Sequence, residues 1–344
     1  MNEQFPFLAS FSPLLAFAVT WLTIAVLLRT GLAKFAMDDP NHRSLHAAPI
    51  PRSGGIAIMA GTLAGWSLLL PSWLWLPLGL TVGLAAVSLC DDIFSLSVNW
   101  RLLAHLLAAS ALAAANLEHY PWWLGFSAML AVVWMSNLYN FMDGSDGLAG
   151  GMAVFGFAAY GLAAWWGNDA TFALVAWTVA AAAAGFLIFN FHPARIFMGD
   201  AGSVPLGFLA AAFGLLGWQR GLWAWWFAPL VFSPFVVDAS VTLAKRLLRG
   251  EKIWQAHREH YYQRLVRMGY GHRNTALLEY LLMAAAGASA LWGSSLAATT
   301  QTLLLVCWCA VYFVAMRLID IKWAKFNLEN SVEPQRRGDA KEKQ

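Results

Sequence analysis

The stretch WLWLPLGLTVGLAAVSLCDD, residues 73–92, decides the fold class. From Trp73 to Cys90 no charged side chain interrupts the apolar run, and roughly 20 such residues cross the hydrocarbon core of a bilayer as a helix. The run then ends abruptly on two adjacent carboxylates, Asp91 and Asp92. Applied outward, the same ruler finds about eleven such segments, at 7–28, 54–70, 73–90, 102–117, 122–139, 148–166, 171–189, 203–218, 222–243, 275–292 and 297–317. The first is read as a retained helix and not a secretory signal, because Glu3 precedes it, no basic n-region does, and it is too long for an h-region.

Composition agrees. Of 344 residues 59% are hydrophobic and only 12% are charged, against about 25% charged in ordinary soluble domains; the mean hydropathy is +0.56. The expected fold is all-α, a polytopic integral membrane protein of about eleven transmembrane helices. Lys and Arg collect in cytoplasmic loops, which orients it. With the N-terminus periplasmic, the inward set is Arg29, Lys34, Arg43 and Arg52, then Arg101, Arg195, eight residues from Lys245 to Arg273 and seven from Arg317 to Lys343. Only Arg220 is left outside. Residues 1–326 then form one multi-spanning domain with cytoplasmic loops at 29–53, 91–101, 140–147, 190–202 and 244–274, and residues 327–344 read as a disordered cytoplasmic tail. The net charge of +3 is too small to point to nucleic acid, while inward basic residues suit anionic lipids and anionic substrates. Cys90, Cys307 and Cys309 show no metal-ligand spacing and read as packing residues.

Carboxylates near a membrane are expensive and mark function. Asp38, Asp39, Asp91, Asp92, Asp143, Asp146, Asp200 and Asp238 all fall on the inward face, which places an active-site cleft there. The first loop, DDPNHRSLHAAPIPRSGG (38–55), joins Pro and Gly turns to Arg43 and Arg52, the make-up of an anion cradle. Asp91 and Asp92 stand at a helix C-terminus that is already negative, about 100° apart around the axis, so they face different partners. In NLYNFMDGSDGLAGG (137–151) the glycines open the helix end, and Asn137, Asn140, Asp143 and Asp146 suit a base, a ribose or a hydrated cation. NFHPARIFMGDAGS (190–203) brings Asn190, His192, Arg195, Asp200 and Ser203 to a helix N-terminus, an anion site beside which one Asp can ligate Mg²⁺. Residues 245–273, KRLLRGEKIWQAHREHYYQRLVRMGYGHR, form a basic amphipathic stretch in which Leu247, Leu248, Ile253 and Trp254 could rest on lipid and His257 and His260 share a face. These two His suit phosphate better than zinc. Together the pieces describe phosphoryl transfer, where the protein positions groups and neutralises charge, between a water-soluble diphosphate and a lipid phosphate.

Five motifs in order, spanning about Asp38 to Leu265, make the chain resemble the polyprenyl-phosphate N-acetylhexosamine-1-phosphate transferases, nearest to those that initiate O-antigen on N-acetylated deoxysugars. The resemblance implies a UDP-N-acetylhexosamine donor, undecaprenyl phosphate as acceptor, release of UMP, Mg²⁺ (with Mn²⁺ as a substitute), a bacterial inner membrane location and a homodimer. It implies that Asp91 and Asp92 are catalytic, one of them activating the lipid phosphate, and that Asp200 is the metal ligand. Arg43, His46, Asn140, Asp143, Asp146, Asn190, Phe197, His257 and His260 are implied in substrate binding. Two departures stand out. Ser53 replaces a glycine of the family's first loop, where it would perturb a close backbone approach, and Ser44 replaces a lysine found in some branches. A secondary transporter remains the rival from another class, although such sites lie at the midplane between repeats. A CDP-alcohol type phosphotransferase is the rival within the class.

Overall fold

The structure, a computed structural model, describes residues 7–38, 45, 49–252, 255 and 257–341. Arg43, His46, Asp39, Ile253 and Trp254 lie outside the described residues. Within them the protein is all-α and polytopic, as lipid demands, since a helix satisfies every backbone N–H and C=O within its own segment. The helices are α1 (Ser12–Thr30), α2 (Gly54–Trp66), α3 (Trp75–Phe94), α4 (Val98–Leu117), α5 (Trp122–Phe141), α6 (Leu148–Trp166), α7 (Ala170–Asn190), α8 (Asp200–Gln219), α9 (Phe227–Val231), α10 (Ser233–Leu248), α11 (Tyr261–Leu265), α12 (Gly271–Gly293) and α13 (Ala298–Lys341). The one ladder among the described residues is a short antiparallel pair, β1 (Met37–Asp38) with β2 (Ile50–Pro51).

Nine helical stretches among the described residues are long and apolar enough to cross a membrane. Two of the eleven predicted segments take another form. Helix α2 has 13 residues and rises only about 20 Å. The run 222–243 is split at Phe232 into α9 and α10, with Pro234 in the first turn of α10. Proline lacks the N–H that would continue the ladder. Ser233 Oγ donates to the Leu230 carbonyl at 2.6 Å, so the break keeps a hydrogen bond. At the other end, α13 carries helix on to Lys341, past the boundary at 326 where composition predicts a disordered tail.

Helices α6, α7 and α8 form the centre, with α8 buried over 83% of its span. Small residues let the helices close: a Cβ on Gly61 of α2 would stand 2.0 Å from Thr20 Oγ1 of α1, the close approach that membrane helices use in place of a hydrophobic drive. One such contact positions the site. The first loop pairs with the segment before α8 through Phe197 N–H to the Pro51 carbonyl (2.7 Å), Gly54 N–H to the Phe197 carbonyl (2.9 Å) and Gly55 N–H to the Met198 carbonyl (2.7 Å). The N-termini of α2 and α8 meet so closely that a Cβ on Gly55 would lie 2.2 Å from the Gly202 nitrogen. Ser53, the departure from the family glycine, has φ −106°, which any residue adopts. It is buried, and its hydroxyl has no hydrogen-bond partner among the described residues.

Candidate active site

The two adjacent aspartates at the end of α3 take different partners. Asp91 Oδ2 accepts from Arg101 Nη1 at 2.7 Å, and the same nitrogen reaches Asp200 Oδ2 at 3.4 Å. One guanidinium at the start of α4 therefore lies between a carboxylate from α3 and one from α8. Asp92 turns inward: its Oδ2 accepts from the Ala201 backbone N–H at 3.1 Å, and its Oδ1 pairs with Arg52 Nε at 3.6 Å. Arg52 also donates to the Asp92 backbone carbonyl at 2.8 Å. Asp92 thus caps α8 from another helix and ties the first loop to it. A negative group at a helix N-terminus is also favoured by the helix dipole.

The end of α5 closes the cluster. Asn140 shares a small polar recess of about 20 Å³ with Asp200, Arg101, His105, Asn137 and Ser88, room for a single water-sized group. His105 Nδ1 meets Asn137 Nδ2 at 3.1 Å. Asp143, in the turn between α5 and α6, is pushed well above the ordinary carboxylate value, first by burial and then by the charges of Asp200, Asp92 and Asp38. Negative charge here outweighs, among the described residues, the neighbouring cations Arg52 and Arg101. Among the described residues no group of three or more His, Cys, Asp or Glu converges as a ready-made metal cage.

Two residues expected from the sequence to be substrate groups bind loops together. Asp146 Oδ2 accepts from His192 Nδ1 (2.6 Å) and from the Ala194 N–H (3.1 Å). Buried Asn190 uses both ends of its amide, accepting from Gly147 N–H at 3.0 Å and donating to the Ile196 carbonyl at 2.9 Å. The half-buried Phe197 sits in the ladder to the first loop. His272, absent from the sequence reading, accepts on Nδ1 from Ser145 Oγ (2.8 Å) and from the Asp146 N–H (3.4 Å), so its Nε2 carries the proton given to the Leu45 carbonyl (3.3 Å).

The histidine pair also divides. His260 is buried, its Nδ1 3.3 Å from Asp238 Oδ1 and its ring stacked on Phe141 at 6.5 Å. Asp238, which had no role in the sequence reading, receives the backbone N–H groups of Tyr261 (2.9 Å) and Tyr262 (3.0 Å) and the Thr242 hydroxyl (3.1 Å). It caps α11 from α10. His257 is half-buried, and burial followed by the positive charge of His260 and Arg246 pushes it down to about 4. It is therefore neutral near pH 7 and acts as a hydrogen-bonding group, not a cation. Asp38 is half-buried in β1. Arg101 was the most findable omission: a lone guanidinium opening an apolar helix ten residues after Asp91.

An apolar cavity of about 390 Å³ opens between α5, α8, α9 and α10, lined among others by Leu124, Val132, Leu138, Leu215, Trp225 and Phe232. On α5 the cavity is lined from Leu124 to Leu138 and on α8 from Ala210 to Trp218, so Asp200 lies ten residues, about 15 Å of helix, from the nearest wall residue of α8.

The family model described as glycosyl transferase family 4 matches residues 74–217. A probable undecaprenyl-phosphate N-acetylglucosaminyl 1-phosphate transferase of Bacillus subtilis (strain 168) is 30% identical over 292 residues, 78% of this chain and 81% of that protein. The undecaprenyl-phosphate alpha-N-acetylglucosaminyl 1-phosphate transferase of Yersinia pestis is 28% identical, with 76% and 77% covered. A phospho-N-acetylmuramoyl-pentapeptide-transferase of a Synechococcus species is 31% identical over 252 residues, with 64% and 71% covered. With the polar cluster, the apolar cavity and these likenesses together, the chain belongs to the polyprenyl-phosphate N-acetylhexosamine-1-phosphate transferases of glycosyl transferase family 4.

Proposed function

We propose that the protein transfers an N-acetylhexosamine-1-phosphate from a UDP-sugar to undecaprenyl phosphate on the cytoplasmic face of a bacterial inner membrane. The reaction would initiate O-antigen or another cell-envelope glycan. A phosphate oxygen of the lipid forms a bond to the sugar-bearing phosphorus, the bond between the two phosphates of the donor breaks, and UMP leaves with that electron pair. The observation that carries this reading is the juxtaposition of Asp91 of α3, Arg101 of α4 and Asp200 of α8 at one end of a bundle of apolar spans. That arrangement suits a substrate with a charged head and a long apolar tail.

Asp200 and Asp91, with Asn140 beside them, are the residues that would hold Mg²⁺. This ion binds through one or two carboxylates plus substrate phosphates, so the lack of a three-residue cage among the described residues suits a site completed by the donor. Bound there, Mg²⁺ would supply positive charge against the diphosphate. Arg101 and Arg52 add fixed positive charge on either side of the aspartates. His257, neutral near pH 7, is available to hydrogen-bond the sugar or its phosphate. The clustering of Lys and Arg at the same end supports the cytoplasmic assignment.

Purified protein in detergent, given undecaprenyl phosphate, Mg²⁺ and a panel of UDP-N-acetylhexosamines, is expected to release UMP with at least one donor. No release with any of them, in the presence of Mg²⁺ or Mn²⁺, sinks the reading.

A further inference from the structure

Asp320 lies on α13, the least buried of the spanning helices, with 6% of its span covered by protein against 83% for α8. It is 22 residues beyond Ala298, or about 33 Å of helix, so it emerges at the far end of the span, beside the histidine loop. There its carboxylate gathers three donors from other elements: Lys245 Nζ of α10 (2.6 Å), Arg264 Nη1 of α11 (2.9 Å) and the Tyr261 hydroxyl (3.2 Å). One turn on, Trp323 receives the guanidinium of Arg267 at 4.6 Å from its ring centre, and Lys322 Nζ donates to the Tyr270 hydroxyl at 3.0 Å.

Two of these partners lead back to the His257–His260 segment, Arg267 through Nη1 to the Arg258 carbonyl at 3.3 Å and Arg264. Arg264 also donates through Nε to the Glu259 carbonyl at 2.7 Å. Glu259 receives Arg246 Nη1 at 2.6 Å and Arg249 Nη2 at 2.5 Å. The segment is thus held from inside by Asp238 and from outside by Asp320. A helix that contributes so little to the packed centre has no need of a carboxylate with three charge-assisted or hydroxyl donors to keep the bundle together. Those contacts order the loop.

We propose that Asp320 is a positioning residue, which latches the last helix onto α10 and α11 and so holds His257 where the sugar-nucleotide donor meets it. The inference rests on the transfer reading above for what the loop binds. It assigns no chemistry to Asp320 itself, whose partners lie on α10 and α11 and not in the Asp91–Arg101–Asp200 cluster.

The test uses the full chain in detergent with Asp320→Asn and Asp320→Glu. Asp320→Asn should raise KM for the productive UDP-sugar about tenfold, while KM for undecaprenyl phosphate moves less than about twofold and kcat falls little. Hydrogen exchange at the Tyr261, Tyr262 and Arg264 amides without substrates should quicken about tenfold or more. Asp320→Glu should recover most of both. Unchanged exchange, or donor and acceptor KM rising together, overturns the proposal. Should Asp320→Asn fail to fold, Lys245→Met removes a single arm and carries the same test, with a donor KM about threefold higher. If no sugar nucleotide supports transfer, the transfer reading falls, and the exchange rates then judge the latch alone.

Discussion

Two groups of aspartates at the same end of the bundle are treated in opposite ways. At the centre, Asp91 and Asp200 share one guanidinium, and Asp143 stands among the charges of Asp200, Asp92 and Asp38. At the flank, Asp238 receives two backbone N–H groups, a hydroxyl and an imidazole, and Asp320 receives an ammonium, a guanidinium and a phenol. Uncompensated charge near a membrane is costly; among the described residues the centre crowds carboxylates, as the Mg²⁺ site proposed above requires, and the flank surrounds them with donors. Asp92 crosses the division, a central residue that caps α8 as Asp238 caps α11.

The largest effect expected from this contrast is on turnover at the centre. Asp200→Asn should cut UMP release about a thousandfold, comparable to losing a principal electrostatic contact in a transition state. It should do so without loss of folded protein, because removing one of several crowded like charges relieves repulsion. Turnover near normal takes Asp200 out of the site; an unfolded variant makes it a flank-type residue and breaks the comparison.

At the flank the effect moves to stability. Asp238→Ala strands the Tyr261 and Tyr262 N–H groups and frees His260, and the loss of such a buried anchor should cost about 3 kcal/mol in denaturant unfolding in micelles. The expected mark is early release of α10–α11, with divalent-cation binding at the centre little changed. Stability within about 0.5 kcal/mol of the parent would mean that the cap does not hold the loop.

The contrast was only half legible in the sequence. Apolar runs, glycine turns and inward carboxylates marked the spans and the centre, because each is a local pattern. What decides a carboxylate's role is its partner, and the partners here are remote: Ala201 for Asp92, Tyr261 for Asp238, Lys245 for Asp320. The loop contacts of Asn190 and Asp146 are invisible for the same reason, since an amide or carboxylate in a glycine-rich turn looks identical whether or not it reaches the next loop. Hydropathy likewise reads composition and not backbone continuity, so it joined 222–243 across the break at Phe232 and counted α2 as full length. Arg43 and His46 lie outside the described residues, and their assignment rests on the sequence resemblance.

The smallest effect is a pH dependence, and its sign separates the two groups. Asp143 is raised well above its ordinary value of 3.8 by burial and neighbouring carboxylates, so above that value the folded chain holds more proton than the unfolded one. Stability of the cation-free protein should therefore be greatest below about pH 4 as far as this group is concerned, and fall as pH rises toward the folded value, by no more than about 1.4 kcal/mol per pH unit for one proton. A divalent cation supplies the missing charge, so it should flatten the slope and release a fraction of a proton on binding. Unfolding between pH 6 and 8 with and without Mg²⁺, together with calorimetry in two buffers of different ionisation enthalpy, measures both. Asp143→Asn should lower the slope, while Asp320→Asn, at the donor-rich flank, should leave it in place. A slope unchanged by Asp143→Asn, or one that Mg²⁺ does not alter, would mean that the centre is not short of positive charge.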